Sequence, residues 1–105
     1  MPGAPYNLNI GTEIPLQTFG FEQITVDNTA NGIGLNLDDS AVSALVTVET
    51  GPVRYRVDKG IPTASVGMLL NIGDRVIVWG KADLGNIRFI RSSGVSATLD
   101  VEYHR

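Results

Sequence analysis

Short runs of β-branched and aromatic residues, each closed by a turn signal, recur along most of this chain of 105 residues. Clusters of Gly, Pro, Asn, Asp and Ser interrupt the runs at intervals of roughly 8–12 residues, which is typical of an all-β sandwich or barrel. No stretch shows the i, i+3, i+4, i+7 recurrence of an amphipathic helix over three turns, and residues 39–45 have room only for a brief one. The pattern therefore predicts an all-β domain of about eight short strands.

The predicted strands either alternate between apolar and polar residues or form short apolar runs. Residues 53–58 alternate strictly, so that Tyr55 faces one way while Arg54 and Arg56 face the other. We place the strands at residues 19–27, 33–37, 44–49, 53–58, 65–70, 75–79, 87–91 and 97–103.

Short antiparallel strands have edges that must be hidden, and a jelly roll or a closed barrel hides them in a small chain. We predict a single jelly-roll-like β-sandwich at residues 18–105. An immunoglobulin-like sandwich is the second choice, and it is weakened because the chain has no cysteine for the usual Cys…Trp…Cys arrangement. Residues 1–17 contain three of the five prolines without a sustained period, which predicts an extended N-terminal arm.

Charge and composition narrow the classes of partner. A net charge of −3 with only eight Lys and Arg residues argues against broad nucleic-acid binding. The N-terminus lacks a secretory signal and no later stretch is long enough to span a bilayer, so we expect a soluble protein made inside the cell, without a membrane partner. Because 43% of residues are hydrophobic and only 18% are charged, the chain suits a protein that hides part of its surface against a partner.

Groups for catalysis or ligand chemistry are few. His104 is the single histidine, and its place on the polar side of the last strand predicts an exposed side chain with no function. Asp38 and Asp39 favour a turn, since the spaced ligands of a calcium loop are missing. Gly32 and Gly34 precede a strand and therefore do not form a phosphate loop. We expect no enzyme activity, no cofactor, no metal and no small-molecule substrate.

One predicted strand is apolar on both faces. Within residues 75–79, alternation sends Val76 and Val78 one way and Ile77 and Trp79 the other. Residues 87–91 show a weaker form of the same pattern, because Ile90 lies outside beside Arg88 when Ile87 and Phe89 point inward. Either the arm or a loop of the same chain covers these outward residues, or a subunit interface does, and arm exchange would combine the two.

The outward arginines have two interpretations. Arg54 and Arg56, with Arg75, Arg88 and Arg91 nearby, form either a solvated face or a site that recognises acidic side chains of a partner. The complete predicted protein interface consists of Tyr6, Leu8, Ile10, Arg54, Arg56, Ile77, Trp79, Arg88 and Ile90.

Several turns and strands resemble those of small proteins encoded by tailed bacteriophages. The resemblance covers roughly residues 44–105 and rests on Gly51-Pro-Val-Arg-Tyr-Arg-Val-Asp58, Pro62-Thr63, Gly67, Gly73-Asp74, Phe89-Ile90-Arg91 and the terminal Ala97-Thr-Leu-Asp-Val-Glu-Tyr-His-Arg105. Such proteins include jelly-roll capsid decoration or cement proteins that lie over joints between major capsid subunits.

The resemblance implies a homo-oligomeric virion protein that is made in the host cytoplasm and binds the major capsid protein at the capsid surface. Two alternatives stay open. One is another virion part, namely a tail, connector or fibre-associated module. The other is a β-sandwich that binds a carbohydrate or a receptor.

Overall fold

A computed structural model describes residues 17–36 and 39–105 of the chain. The predicted interface residues Tyr6, Leu8 and Ile10 lie outside this part, as do most of the predicted arm and Asp38. The elements are β1 (Thr18–Val26), β2 (Ser43–Glu49), β3 (Val53–Arg56), β4 (Met68–Leu70), β5 (Arg75–Trp79), α1 (Lys81–Asn86), β6 (Arg88–Arg91) and β7 (Ala97–His104).

The strands form two antiparallel sheets. The order in the four-stranded sheet is β1-β7-β2-β5, and the order in the three-stranded sheet is β4-β3-β6. In the larger sheet Val46 lies opposite both Val101 and Val76, which sets the register across three strands. In the smaller sheet Tyr55 lies opposite both Met68 and Phe89. The prediction of an all-β fold is confirmed.

Alternating residues from both sheets fill one hydrophobic core between them. In β7, for example, Leu99 and Val101 are fully buried while the residues between them face outward. Strict alternation is what a sheet with one buried face requires. The buried hydrophobic residues are Ile24, Val26, Ala41, Ala44, Val46, Val48, Val53, Leu70, Val78, Leu84, Ile87, Phe89, Ala97, Leu99, Val101 and Tyr103.

The described residues form seven strands, so the prediction of a strand at residues 33–37 is wrong for residues 33–36, while Leu37 lies outside the described part. Only Ile33 pairs, through an isolated bridge in which its N–H donates to the Phe89 carbonyl at 2.8 Å and its carbonyl accepts from the Phe89 N–H at 2.9 Å. Pairing stops because Asn36 turns to another partner: its backbone N–H and its side-chain amide donate to the Glu22 carboxylate, at 3.3 and 2.7 Å.

A short helix lies between β5 and β6, where the sequence pattern predicted neither a strand nor a helix. α1 has six residues and follows Gly80, whose φ of 88° lies in the left-handed region that favours glycine. Its Leu84 is buried in the core. A helix of fewer than two turns gives no helical period in a window of three turns, so sequence periodicity does not reveal it. Within the described part of the chain, no helix is long and apolar enough to cross a membrane.

Candidate interaction surface

The outward side chains of the four-stranded sheet form a surface that we call the Trp79 face. They alternate with the core residues of the same strands, so the register places them in rows across the sheet. The main members of this face are Phe21, Gln23, Ser43, Leu45, Thr47, Arg75, Ile77, Trp79, Asp100, Glu102 and His104.

An apolar corner lies at the β5 edge of this face. Trp79 is 59% exposed and Ile77 is 53% exposed, whereas Val78 between them is buried. Ile77 lies opposite Leu45, which is half-buried, so the apolar corner continues onto β2. β5 is the last strand in its sheet, and none of the loops within residues 17–36 and 39–105 buries these two side chains. The outward direction predicted for both residues is thus observed.

The centre of the Trp79 face is polar and hydrogen-bonded. The Ser43 hydroxyl lies 3.1 Å from His104 Nδ1, and His104 Nε2 lies 3.1 Å from a Glu102 carboxylate oxygen. The His104 side chain is only 19% exposed, so the prediction of an exposed histidine is wrong. The cause is register, because Ser43 and His104 are paired residues of adjacent strands.

Serine, histidine and glutamate are also the residue types of a hydrolase triad, but the geometry here suits a structural role. Ser43 is only 1% exposed, so its hydroxyl is closed to a substrate carbonyl that would have to approach within about 3–3.5 Å. The three groups join β2 to β7 on the outward side of the sheet. We interpret them as a hydrogen-bonded group that links the two neighbouring strands.

The outward side chains of the three-stranded sheet form a second surface, which we call the arginine face. It consists of Arg54, Arg56, Leu69, Arg88 and Ile90. Ile87 and Phe89 are fully buried, and Arg88 and Ile90 are half-buried on the outer side, as predicted. Since the core lies between the two sheets, the arginine face and the Trp79 face are on opposite sides of the sandwich.

Those predicted interface residues that lie within the described part of the chain therefore do not form one continuous surface. Ile77 and Trp79 lie together on one side, whereas the arginine face, including Ile90, lies on the other. Two of the additional arginines also separate from Arg54 and Arg56. Arg75 belongs to the Trp79 face, and the backbone N–H of Arg91 donates to the Asp27 carbonyl beside the 27–33 loop.

Each guanidinium of the arginine face contacts its own chain. Arg54 donates to the carbonyls of Ala64 and Gly67 at 3.1 and 2.9 Å, which holds the loop before β4. Arg88 donates to the Ile87 carbonyl at 2.9 Å and to the Gly85 carbonyl at 3.3 Å, beside the last turn of α1. Backbone carbonyls are neutral acceptors, so the positive charges of Arg54 and Arg88 stay uncompensated by these contacts.

Arg56 is paired with a carboxylate. Its Nε and Nη2 donate to the two oxygens of Asp58 at 3.0 and 2.7 Å. This hydrogen-bonded pair, followed by the hydrogen bond from the Gly60 N–H, lowers the pKa of Asp58 to about 2. The pair also raises the pKa of Arg56 above its usual value. The turn at residues 58–60 is thereby fixed against β3.

A polar contact lies on the inner side of the four-stranded sheet. The Tyr103 hydroxyl donates to the Glu22 carboxylate, which also accepts from Asn36. Burial of the phenol, followed by this hydrogen bond to an anion, raises the pKa of Tyr103 above its usual range. Tyr103 packs against Phe19 with ring centroids 6.4 Å apart, so the contact anchors the start of β1.

The described ranges contain no group of three or more His, Cys, Asp or Glu side chains placed to hold a metal ion. Exposed apolar side chains lie on two edge strands, Ile77 and Trp79 on β5 and Met68 and Leu69 on β4, and the β5 pair includes the larger tryptophan side chain. Comparisons of the chain with protein-family models, with curated proteins and with solved structures find no match.

Proposed function

We propose that this protein is a non-catalytic structural subunit that binds other protein subunits through the Trp79 face. The observation that carries the proposal is the pair of large apolar side chains, Ile77 and Trp79, exposed side by side on the edge strand β5. Contiguous exposed apolar groups mark interaction sites, and tryptophan is enriched among the residues that dominate binding energy. An edge strand also offers unpaired backbone groups to a partner.

Following the resemblance to tailed-phage proteins, we propose a capsid cement or decoration protein, with the major capsid protein as its partner and self-association on the capsid surface. A protein that binds only the assembled lattice stabilises it by mass action, and many modest contacts act together. Complete burial of an aliphatic or aromatic side chain contributes about 1.5–3 kcal/mol. Ile77 and Trp79 are each about half exposed, so covering both contributes roughly the amount of one complete burial per copy, which suits a modest contact that repeats over a lattice.

We further propose that the sandwich is a jelly roll that has lost most of one strand. If the segment at the Ile33–Phe89 bridge is counted as a second strand, β1 becomes strand 1, β2 to β6 become strands 3 to 7, and β7 becomes strand 8. The strand order is then 1-8-3-6 in one sheet and 5-4-7-2 in the other. A double Greek key of eight strands in two sheets has this order. The first and last strands are neighbours, which brings both ends of the described domain to the same side of the molecule.

The environment of Trp79 favours a protein partner over a carbohydrate. A sugar site would combine an exposed aromatic ring with nearby polar groups that hydrogen-bond the hydroxyls. The cross-strand neighbours in the apolar corner are Leu45 and Ser43, and Ser43 is already hydrogen-bonded to His104. Trp79 therefore presents an apolar platform.

The proposal is tested with the single tryptophan as reporter. The full-length protein is mixed with capsids of tailed phages prepared without decoration protein, and binding is followed by co-sedimentation and by Trp79 fluorescence. We expect stoichiometric binding with a shift of the emission to shorter wavelength as the indole leaves water. Light scattering of the protein alone measures self-association.

Trp79→Thr is the test variant, and Ile72→Thr is its matched control because Ile72 is also exposed but lies in the turn before β5. Threonine suits a strand, so Trp79→Thr is expected to fold. Loss of binding in Trp79→Thr with binding retained in Ile72→Thr supports the proposal. Equal binding by both variants would contradict the proposal. A wild-type protein that stays monomeric and binds none of the capsids would contradict it as well.

A further inference from the structure

A small pocket opens beside the arginine face, where the 27–33 loop, the 58–61 turn and the end of α1 meet. Its volume is about 180 Å³, and it is lined by Asn31, Lys59, Gly60, Ile61, Asn86 and Arg88. Pockets for drug-sized ligands measure roughly 300–1,000 Å³, so this one has room for a small ion or the end of a side chain. It is separate from the Trp79 face, on the other side of the sandwich.

All charged residues that line the pocket are positive. Lys59 and Arg88 are cations, Asn31 and Asn86 carry amide donors, and none of the six residues carries a carboxylate. Within the described residues neither Lys59 nor Arg88 forms a salt bridge, since the Asp58 carboxylate pairs with Arg56 and the Glu102 carboxylate contacts His104. Asp58 directly precedes Lys59 in the sequence, but both of its carboxylate oxygens already accept hydrogen bonds from Arg56.

The backbone on two sides of the pocket is left-handed, which asparagine tolerates at position 31 but which is costly for Lys59. Asn31 has a φ of 74° and Lys59 a φ of 69°, and these are two of three non-glycine residues with positive φ in the described chain. The left-handed conformation costs an ordinary residue about 1–2 kcal/mol, and such positions cluster at functional sites. The turn that carries Lys59 is fixed by the Asp58 hydrogen bond to the Gly60 N–H at 3.0 Å. The cation of Lys59 is thus carried by an ordered turn.

We propose that this pocket binds a compact oxyanion through Lys59 and Arg88, with the amides of Asn31 and Asn86 as further donors. Arginine binds planar and tetrahedral oxyanions through its fork of N–H groups, and lysine adds a point charge. Arg88 uses Nη1 for two carbonyls of its own chain, which leaves the donors of its other nitrogens for a ligand. The proposal does not depend on the function of the Trp79 face.

The oxyanion has two sources with the same chemistry, a free inorganic anion or a carboxylate on an acidic side chain of a bound protein. Both are tested by NMR titration of the ¹⁵N-labelled protein at constant ionic strength, with sodium chloride as reference. Inorganic phosphate and sulfate represent the free ion, and N-acetyl-glutamate amide represents the side chain. We expect saturable shifts confined to the amides of residues 31–32, 59–61 and 86–88.

Two variants with the same charge change separate a site from general electrostatics. Lys59→Asn removes one positive charge from the pocket and introduces a residue that tolerates positive φ. Arg75→Gln removes one positive charge from the Trp79 face. We expect Lys59→Asn to weaken binding about tenfold, as for loss of one charge-assisted contact, and Arg75→Gln to leave it unchanged. Arg88→Lys, which retains the charge but not the fork, should weaken binding as well.

Saturation by phosphate or sulfate alone identifies a free inorganic anion as the ligand, and saturation by the glutamate amide identifies an acidic partner side chain. Either result supports the oxyanion site. Shifts that spread over the whole surface, shifts that sodium chloride reproduces, or equal weakening by Lys59→Asn and Arg75→Gln would overturn it. Thermal unfolding of each variant confirms that the fold is intact.

Discussion

The two outer faces of this sandwich follow the same alternation of residues but leave their side chains in opposite situations. On the Trp79 face, large apolar groups at the β5 edge stay exposed while the polar groups at the centre are hydrogen-bonded to each other. On the arginine face, the long cationic side chains lie over the sheet and hold the loops of their own chain. We propose that the first face is covered by a partner, whereas the second face stabilises its own turns.

The largest expected effect tests the first half of this comparison. Ile77→Lys places a charge in the apolar corner, and burial of an unpaired ammonium in an interface costs several kcal/mol. We expect binding of the full-length protein to capsids or to itself to weaken on the order of a hundredfold. Because Ile77 is 53% exposed, thermal unfolding of the isolated protein should change little. An Ile77→Lys variant that binds as tightly as the wild type would contradict the proposed role of the Trp79 face.

Arg54→Gln tests the second half. The variant loses the hydrogen bonds to the carbonyls of Ala64 and Gly67, and we expect the free energy of unfolding to fall by about 1–2 kcal/mol. Urea unfolding measures the loss, with Arg75→Gln as control, for which a change within about 0.5 kcal/mol is expected at an exposed site. Association through the Trp79 face should be unchanged. A stable Arg54→Gln variant that fails to associate would reverse the roles of the two faces.

The polar contact behind the Trp79 face predicts an alkaline limit to stability. The pKa of Tyr103 is raised in the folded protein, so its contribution is complete below a pH of about 10, the usual tyrosine pKa, and is lost as the pH rises further. Tyr103→Phe should lower the free energy of unfolding by about 1 kcal/mol at pH 8 and remove part of the decline above pH 10. Urea midpoints at pH 8 and 11 check this. Parallel declines in both proteins would contradict the assignment.

The smallest effect concerns the ion pair on the arginine face. The folded pKa of Asp58 is about 2, below its ordinary value of 3.8, so its contribution is present above pH 4 and is lost as the pH falls through 2. Asp58→Asn should therefore differ from the wild type at pH 5 and converge with it at pH 2. The difference should be small, since exposed ion pairs contribute little. Urea midpoints that differ equally at both pH values would exclude this linkage.

Much of the fold was predictable because strand alternation is a local property. The opposite directions of Tyr55 and its neighbours Arg54 and Arg56, the outward direction of Ile77 and Trp79, and the position of Ile90 outside Phe89 all follow from a period of two residues. Residues 33–37 misled the prediction, because a short apolar run between turns does not reveal that Asn36 hydrogen-bonds to Glu22 and not to β6. α1 was missed because it is shorter than the window in which a helical period can be recognised.

The candidate sites were predicted only in part. The exposed apolar strand was visible in the sequence, but the hydrogen bond between Ser43 and His104 joins residues 61 positions apart and depends on strand register. The oxyanion pocket also draws on distant segments, since Asn31 and Lys59 belong to separate turns and Arg88 begins β6. No local motif connects these residues.

The sequence by itself determined the class of the fold and which side chains of each strand share a face, because alternation and turn chemistry act over a few residues. Only the tertiary structure decided which strands became neighbours, and therefore that Trp79 lies on the last strand of the four-stranded sheet, as far as the described residues extend, while Arg54, Arg56 and Arg88 gather on the opposite side. Strand order arises from burying the apolar faces of both sheets in one core. That burial depends on the whole chain at once.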